Sequence, residues 1–540
     1  MRAVPPSVVS RIAPGSRVDT PFVRLAQDVA ALTGWSRYGL AFVLGVVAAA
    51  AMPPVDMAPL LVVAFSGLLW LDEGSATAGA SFRVGWMFGF GFFVAGLYWI
   101  AAALFVDISR FWWLVPLAAA GLPALFAIYV GLVVLGVRLL VGRFGLAPPA
   151  RVFLFAVLWT VAEWVRGHAL TGLPWNLIGY AWAGGFPGGL AMLQSTAVVG
   201  IYGLSFLTVL AAALPALLGT PRQGPMRALR RWAPALAAAL VILGPAMLGA
   251  IRLATTPTRL TETRLRLVQP SIPQSLKWVP GAADSNFHRL IELSAPPAHR
   301  RLNAILWPEA ASPYFLGRDQ AARMAVAATA PSGGYVITGA LRANPPPDPM
   351  AAFWNSIEAV NSHGQIVARY DKAHLVPFGE YVPFRGLLPV DKITAGTVDL
   401  SAGPGPRTIS LPGLPPFAPT ICYEAIFPGA VVDERHRPAW ILNVTNDAWY
   451  GRTSGPYQHF AIARTRAVEE GLPLIRVANN GISGVIDPLG RVVARTDLDA
   501  IGYVDSPLPA PVAPTPYAEF GDATLLLLLL VGAVPVAWRW

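Results

Sequence analysis

Residues 418–429 read APTICYEAIFPG, and they contain Cys422, the single cysteine of the 540-residue chain. The apolar run before the cysteine is typical of a buried β-strand. An acidic residue, Glu424, follows two positions later. A lone cysteine is more often a small buried apolar side chain than a nucleophile, so its role depends on what the rest of the chain places beside it.

The composition divides the chain into a membrane part and a soluble part. Charged residues make up 13% of the sequence, about half the usual share in soluble proteins, and hydrophobic residues make up 55%. The mean hydropathy is +0.52. Apolar segments dominate residues 38–254, ordinary charge returns in 255–522, and residues 523–540 are apolar again. We therefore expect a membrane bundle of about seven spans, a soluble domain and a C-terminal transmembrane helix, in that order.

The candidate spans number about eight in all, because a helix needs about 20 apolar residues to cross a bilayer. They cover 38–52, 57–71, 84–106, 112–137, 152–165, 190–217, 232–254 and 523–538. The first two are short and share the break MPPVDM, in which tandem prolines stop a helix. Two readings stay open for this pair, namely a hairpin of two spans or a single kinked re-entrant element.

The distribution of arginine predicts the orientation of the spans. Five arginines precede the first span, and further arginines follow the second, fourth, sixth and last spans: Arg83, Arg138, Arg143, Arg151, Arg222, Arg227, Arg230, Arg231 and Arg539. The alternate loops carry fewer. Since basic loops stay on the cytoplasmic side, we expect both termini inside, with 1–37 as a basic cytoplasmic segment. Residues 255–522 would then lie outside, which in a bacterium is the periplasmic side of the inner membrane.

The remaining charge pattern predicts neither a nucleic-acid partner nor a metal. The net charge is +10, but the arginines are scattered, and no nucleic-acid-binding fingerprint accompanies them. The soluble part contains histidines without the spacing of metal ligands: His363, His374, His436 and His459. We expect no cofactor.

Residues 255–522 read as strands and helices of an α/β domain. Strand patterns occur at RLRLVQP (264–270), NAILWPEAA (303–311), GYVITGAL (334–341), APTICYEAIF (418–427), AWILNVTNDAWY (439–450) and PLIRVANNGISGVIDPLGRVVAR (473–495). A hairpin is predicted at 353–372, and a helix is predicted at 457–470 with Gly471 as its stop. This alternation favours helices that cover a sheet.

Three polar residues follow predicted strands, where a rigid scaffold presents side chains to a pocket. They are Glu309, Lys372 and Cys422. A free thiol has a pKa of about 8.5, so a carboxylate that takes its proton and an ammonium that stabilises the resulting anion would make it a nucleophile. The alternatives are a solvent-exposed carboxylate at Glu309 and a solvated lysine paired with Asp371.

Longer motifs around these residues resemble a known superfamily. LWPEAA (306–311), YDKAHLVPFGEYVPF (370–384) and ICYEAIFP (421–428) resemble the nitrilase superfamily, in which a Glu-Lys-Cys triad lies on an αββα sandwich. VQPSIPQSLKW (268–278), NVTNDAWYG (443–451) and the membrane spans narrow the resemblance to the bacterial apolipoprotein N-acyltransferase family. The fold that this implies is a helical membrane bundle plus an αββα nitrilase-like domain.

The resemblance implies roles for individual residues. Glu309 matches the general base, Lys372 the residue that stabilises thiolate and oxyanion, and Cys422 the nucleophile. Glu380 matches a carboxylate that orients the lysine. The other matching positions belong to the substrate pocket or its mobile loop: Trp278, Tyr423, Glu424, Asn446, Asp447 and Trp449.

The resemblance also implies a reaction. An acyl chain would pass from the sn-1 position of a phospholipid, phosphatidylethanolamine in the family, to the cysteine as a thioester. It would then pass to the N-terminal amine of a diacylglyceryl-cysteine apolipoprotein. Two other functions stay open at this point, a membrane-tethered nitrilase or amidase and a lipoprotein-binding membrane module without activity.

Overall fold

The computed structural model describes most of the chain: residues 20–221, 231–295, 301–344, 352–387, 390–394 and 398–537. Residues 1–19 of the expected basic segment 1–37 lie outside the described residues, as do residues 538–540 of the expected C-terminal helix. The remainder of the expected basic segment is helical, and the helix of the first predicted span begins at Gly34, before Tyr38.

The N-terminal half folds into a helical bundle. Its helices are α1 (Pro21–Ala31), α2 (Gly34–Ala49), α3 (Leu60–Glu73), α4 (Ala78–Leu97), α5 (Ile108–Phe111), α6 (Leu122–Phe144), α7 (Pro148–His168), α8 (Gly189–Leu193), α9 (Thr196–Ala213) and α10 (Ala233–Thr255). A 3-10 segment, Tyr98–Asp107, joins α4 to α5. Glycines let α2 and α4 pack closely, because a Cβ at Gly45 or Gly91 would lie 2.0 or 2.1 Å from a backbone oxygen of the other helix.

Each predicted span coincides with helix, but not every helix reaches the length of a bilayer. Within the described residues, five helical segments are long and apolar enough to cross: Ala78–Leu114, Leu117–Phe144, Pro148–His168, Thr196–Gly219 and Ala233–Thr255. The count becomes six if α1 and α2 form one broken span, in which the chain bends by 119° between the two helices. The first predicted pair forms two separate helices, α2 and α3, of 16 and 14 residues. At 1.5 Å per residue these are shorter than a hydrocarbon core of about 30 Å.

The C-terminal half contains twelve described strands in two sheets. The strands are β1 (Leu260–Gln269), β2 (Ala304–Leu306), β3 (Tyr335–Ala343), β4 (Phe353–Asn361), β5 (Ile366–Asp371), β6 (Ile409–Leu411), β7 (Leu414–Ile421), β8 (Trp440–Thr445), β9 (Leu474–Ala478), β10 (Gly484–Ile486), β11 (Val492–Arg495) and β12 (Gly502–Pro509). One sheet has the order β12-β1-β2-β3-β4-β5, and the other has the order β11-β10-β9-β8-β7-β6. The central strands β1–β3 and β7–β9 are parallel, so their carboxyl ends share an edge in each sheet.

The two sheets pack face to face, and helices cover their outer faces. The helices of this half are α11 (Pro280–Ser294), α12 (Gln320–Thr329), α13 (Gly455–Glu470), α14 (Pro516–Phe520) and α15 (Ala523–Ala537). Between the sheets lies one apolar core that includes Leu267, Ile337 and Trp440. Separate cores lie under α11 with α12 and under α13. This is the expected αββα sandwich, and the fold class is confirmed.

Helix α13 joins the sandwich to the bundle. Oε1 of Gln458 accepts hydrogen bonds from the indole N–H groups of Trp99 and Trp175, at 3.2 and 2.8 Å. Its Nε2 donates to the carbonyl of Pro53 at 3.2 Å. One buried amide therefore fixes three segments of the bundle against the helix that covers the second sheet.

Candidate active site

The three residues expected to form a catalytic group lie together. Glu309 follows β2, Lys372 follows β5 and Cys422 follows β7. Nζ of Lys372 lies 3.6 Å from Oε1 of Glu309. All three line one cavity, with exposed fractions of 7%, 1% and 5% for Glu309, Lys372 and Cys422. The strand ends thus bring together residues that are far apart in the sequence.

Cys422 lies on a sharp turn where β7 ends and a 3-10 helix, Cys422–Ile426, begins. Its φ is +51°, in the left-handed region that residues other than glycine rarely adopt. The turn presents the residue to the cavity, and it places the N–H of Tyr423 in the first turn of a helix, where N–H groups lack partners within the helix. Strain of this kind persists only where surrounding contacts hold it.

Glu424 supplies contacts that hold the turn. Its carboxylate accepts hydrogen bonds from the N–H groups of Ile421, Ala373 and His374 at 2.7, 2.7 and 3.1 Å, and from the Tyr370 hydroxyl at 2.8 Å. Burial raises the pKa of Glu424, although these donors act in the opposite direction. The carboxylate therefore fastens the start of the Cys422 turn to the loop that follows β5.

A second carboxylate, Glu380, lies beside Lys372. Its Oε2 is 2.9 Å from Nζ of the lysine and accepts from the N–H of Val376 at 2.8 Å. Nδ2 of Asn355 donates both to Glu309 and to Glu380, at 2.8 and 2.9 Å. Sequence reasoning missed Asn355. The pattern that could have indicated it is a polar residue among the buried positions of a predicted strand, β4. Asn355 holds the two carboxylates on either side of the ammonium.

The charges of the site favour a protonated thiol at rest. Burial works against the charged form of Lys372, but Glu380 and Glu309 outweigh it and raise the pKa of the lysine. Burial and the nearby Glu309 raise the pKa of Cys422 to about 12, and Lys372 acts in the opposite direction. Oε2 of Glu309 makes no hydrogen bond within the described residues. A carboxylate oxygen is thus available for the thiol proton.

A third polar cluster lies behind Cys422. Nδ1 of His459 lies 2.9 Å from Oδ1 of Asp447, and Arg476 donates to Oδ2 of Asp447 at 2.8 Å. Burial would raise the pKa of Asp447, but Arg476 and His459 outweigh it and lower the pKa to about 2. Nε2 of His459 lies 3.2 Å from the carbonyl of Cys422, which can only accept, so the imidazole donates to the main chain of Cys422.

The same cluster has the donor atoms of a metal site. Sγ of Cys422 and ligand atoms of Asp447 and His459 lie within 4.8 Å of one another. However, the guanidinium of Arg476 already binds the carboxylate and also lies 3.0 Å from the imidazole. A cation beside this guanidinium would be repelled in a buried environment. The cluster therefore fits a structural support for the main chain of Cys422 better than a metal centre.

The other expected pocket residues surround the same cavity. Trp278 and Trp449 are partly exposed and line it. Asn446 is buried and donates to Gln274 at 2.7 Å, which ties the end of β8 to the loop after β1. The hydroxyl of Tyr423 donates to the carbonyl of Gly172 at 2.9 Å. This last bond connects the turn at Cys422–Ile426 to the loop that follows α7.

The cavity is large and extends into the helical bundle. Its volume is about 1800 Å³, above the range of about 300–1,000 Å³ that is usual for small-molecule pockets. The part contributed by the bundle is lined mainly by apolar side chains, which include Trp113, Leu117, Leu125, Ile128 and Leu132. The reactive groups therefore lie at the polar end of a long apolar space.

Comparison with known proteins agrees with both halves of this architecture. Residues 44–214 match the apolipoprotein N-acyltransferase N-terminal domain family, and residues 264–513 match the carbon-nitrogen hydrolase family. The apolipoprotein N-acyltransferase of Rhodopseudomonas palustris is 41% identical over 536 residues, which cover 96% of this chain and 97% of the relative. That of Bradyrhizobium diazoefficiens is 40% identical over 533 residues, which cover 95% of this chain and 97% of the relative.

Among solved structures, an amidase from Nesterenkonia sp. is similar to 50% of this chain and to 97% of its own, with 19% identity and a TM-score of 0.36. The family assignment depends on the sequence relatives, which match nearly from end to end. The chain belongs to the apolipoprotein N-acyltransferase family.

Proposed function

We propose that this chain transfers a fatty acyl group from a phospholipid to the N-terminal amine of a diacylglyceryl-cysteine apolipoprotein. The donor would be phosphatidylethanolamine and the acyl group that of its sn-1 ester. Glu309, Lys372 and Cys422 would form the catalytic triad, and the acyl group would pass through a thioester on Cys422. The observation that carries the proposal is the cavity that joins this triad to apolar side chains of the bundle.

The apolar cavity fits the physical problem that two lipid-bound substrates pose. Drawing an acyl chain into water costs about 0.8 kcal/mol per CH₂ group. A site reached through apolar helices lets the chains stay in an apolar environment while the ester reaches the sulfur. The polar end of the cavity supplies the chemistry, with a buried ammonium on Lys372 and a Glu309 oxygen that makes no hydrogen bond among the described residues.

In the first half-reaction, Oε2 of Glu309 takes the proton from Sγ of Cys422 as the sulfur attacks the sn-1 ester carbonyl. The ammonium of Lys372 and the N–H of Tyr423 bind the oxyanion of the tetrahedral intermediate. The carbon–oxygen bond then breaks, and Glu309 returns the proton to the leaving oxygen. The products are a thioester on the enzyme and a lysophospholipid.

In the second half-reaction, the amine of the apolipoprotein attacks the thioester carbonyl and gives a proton to Glu309. The same two donors bind the oxyanion, and the carbon–sulfur bond breaks. The sulfur leaves as thiolate and takes the proton back from Glu309. An amide forms, and the resting thiol is restored.

We also propose where the parts of the chain lie. Residues 38–254 and 523–540 would span the inner membrane, 255–522 would form the catalytic domain on the periplasmic side, and 1–37 would lie in the cytoplasm. This placement rests on the arginine pattern and on the apolar helices. The donor would then enter sideways from the outer leaflet.

The test is incubation of the purified protein with phosphatidylethanolamine labelled in its sn-1 chain and a diacylated lipopeptide. We expect lysophospholipid and N-acylated peptide in equal amounts. Without the peptide, intact-mass spectrometry should find one acyl adduct that hydroxylamine removes, and Cys422→Ala should form none.

Four outcomes would overturn the proposal or its assignment of the nucleophile. Free fatty acid without acylated peptide would indicate a hydrolase, and ammonia released from amide substrates would indicate a nitrilase or amidase. A lipid-binding protein without turnover would point to a binding module. An adduct that persists in Cys422→Ala would remove the nucleophile from the mechanism.

A further inference from the structure

A lysine outside the expected triad lies beside the base. Lys277 belongs to the loop between β1 and α11, and its side chain is 5% exposed. Its Nζ donates to the main-chain carbonyl of Glu309 at 2.9 Å. It lines the same cavity as Cys422. Sequence reasoning singled out the adjacent Trp278 and passed over this residue.

The two buried lysines have different surroundings. Lys372 lies between the carboxylates of Glu309 and Glu380, at 3.6 and 2.9 Å. No carboxylate oxygen lies within 4.0 Å of Nζ of Lys277 in the part of the chain that the structure describes. One of its three N–H groups binds a carbonyl, which leaves its full positive charge at the cavity wall.

The charge balance of the site explains why a second cation matters. Glu309, Glu380 and Lys372 together carry one excess negative charge, and this excess remains when Glu309 takes the proton and the thiol becomes a thiolate. An uncompensated negative charge in a buried site opposes ionisation. A second ammonium restores neutrality before the reaction begins.

We propose that Lys277 is a positioning residue of the acyl-transfer site, which holds the main chain of Glu309 and whose positive charge favours the thiolate of Cys422. The inference deepens the proposed function and rests on it, because it concerns the same nucleophile and base. The proposed effect on the thiol comes from the positive charge of Lys277. The hydrogen bond to Glu309 alone would not stabilise the thiolate.

The loop that carries Lys277 is firmly held. The N–H of Ser271 donates to the carbonyl of Asn479 at 2.8 Å, and that of Ile272 donates to the Asn479 side chain at 3.0 Å. Asn446 binds both Gln274 and Asn479, at 2.7 and 2.9 Å. The charge is therefore placed by the scaffold, so that little reorganisation accompanies thiolate formation.

The pH dependence distinguishes this charge from others nearby. The charged or titratable groups that face Cys422 and Lys277 are Glu309, Lys372, Asp447, His459 and Tyr450. Burial lowers the pKa of Lys277 to about 8, against the raising effects of Glu309 and Cys422. Its effect on the thiol is thus complete well below pH 8 and fades as the pH rises through that value.

The experiment measures alkylation of Cys422 by iodoacetamide, a neutral reagent, in the full-length protein in detergent. Lys277→Gln keeps a donor for the Glu309 carbonyl without the charge, Lys277→Met removes both, and Lys277→Arg keeps the charge. At pH 7 we expect Cys422 to be alkylated about tenfold more slowly in Lys277→Gln and Lys277→Met than in wild type, equivalent to a rise of one unit in the pKa of the thiol. In Lys277→Arg, Cys422 should react faster than in either of these variants. The gap between wild type and Gln should narrow above pH 8.

Arg495→Gln is the control, since Arg495 carries the same positive charge at an exposed position that does not line the cavity, and we expect its rate within twofold of wild type. Melting curves of every variant separate reactivity from folding. A Gln variant that reacts like wild type, or a gap that does not change with pH, would overturn the inference. Alkylation needs no acyl transfer, so failure here is distinguishable from failure of the proposed function, which the labelled-lipid assay on wild type tests directly.

Discussion

At the scale of single residues, the proposed nucleophile, Cys422, is held by buried groups that do not line the cavity. The left-handed φ of Cys422 is costly, and the carboxylate of Glu424 and the imidazole of His459 bind the main chain on either side of it. These buried groups fix where the sulfur and the following N–H lie. Changes to them should therefore slow acylation before they alter lipid binding.

Glu424→Gln tests the contacts that hold the main chain just before Cys422. The amide keeps the shape but replaces one oxygen by a donor, so it faces the N–H groups of Ile421 and Ala373 with less acceptor capacity. Hydrogen bonds to a charged acceptor contribute about 1.5–3 kcal/mol, so we expect thioester formation to slow about 10- to 100-fold. The measurement is the rate of adduct formation by intact mass. Glu434→Gln at an exposed position is the control, and equal rates in both variants would contradict the role of Glu424.

Asp447→Asn tests the back of the support through pH. The pKa of Asp447 is lowered to about 2, from a usual value of 3.8, by Arg476 and His459 against burial. The stability that this shift contributes, about 2 kcal/mol, is present above pH 4 and is lost as the pH falls towards 2. We expect the variant to melt below wild type at pH 7, with the difference shrinking between pH 4 and pH 3. A difference that stays constant over that range would show that charge is not the cause.

The residues that sequence reasoning found and missed differ in how they act. Glu309, Lys372 and Cys422 follow strands within long motifs, and each has chemistry of its own. Lys277 and Asn355 donate hydrogen bonds to groups of distant segments, so nothing beside them in the sequence marks their partners. Contacts between segments that are distant in the sequence cannot be predicted from the residues around either partner.

At the scale of elements, strand and helix periodicity predicted most of the sandwich. The strands β1, β2, β3, β7 and β8 lie where apolar runs predicted them, and α13 ends at Gly471, whose φ is +67°. By contrast, β12 has the sequence GYVDSPLP, in which two prolines weaken the strand pattern, and it is formed by pairing with β1. Likewise, residues 107–111, predicted as a loop between spans, continue the helical segment.

Helix α9 shows how the sandwich and the bundle depend on each other. The helix is broken at Gly200, with φ +65° and ψ 179°, and the N–H of Ile201 after the break donates to Glu469 of α13 at 2.8 Å. Nε of Arg466 lies 2.9 Å from the same carboxylate, and both side chains are fully buried. One carboxylate of the soluble half thus caps a broken helix of the bundle.

Glu469→Ala tests this junction. The change leaves Arg466 as a buried charge without its partner and leaves the N–H of Ile201 unpaired, which together cost about 3–5 kcal/mol of folding free energy. We expect a lower melting temperature in detergent and faster proteolysis between the two halves. Glu519→Ala, at an exposed position on α14, should melt like wild type. Equal melting of both variants would argue against a structural role for the capping carboxylate.

At the scale of the whole molecule, the proposed orientation does not depend on whether α2 and α3 each cross the membrane. The start of α2 and the end of α3 lie side by side, since a Cβ at Gly74 would be 2.7 Å from the guanidinium of Arg37. The pair therefore returns the chain to the side on which it began, whether or not either helix crosses completely. From α4 onward, four long helical segments precede α10, the last helix before the sandwich. Helix α10 is the fifth, so the sandwich would lie on the side of the membrane opposite to the start of α4.

Phosphatase fusions test the resulting orientation. The loop between α6 and α7, at 145–147, lies between Arg143 and Arg151, so a phosphatase fused after residue 146 should remain in the cytoplasm and be inactive. A fusion after residue 258, where α10 has ended and β1 has not begun, should be exported and active. Cytoplasmic reporters fused at the same positions should give the opposite result, which controls for expression. Activity of the phosphatase at 146 and not at 258 would place the triad on the cytoplasmic side, where the outer leaflet could not supply the acyl donor.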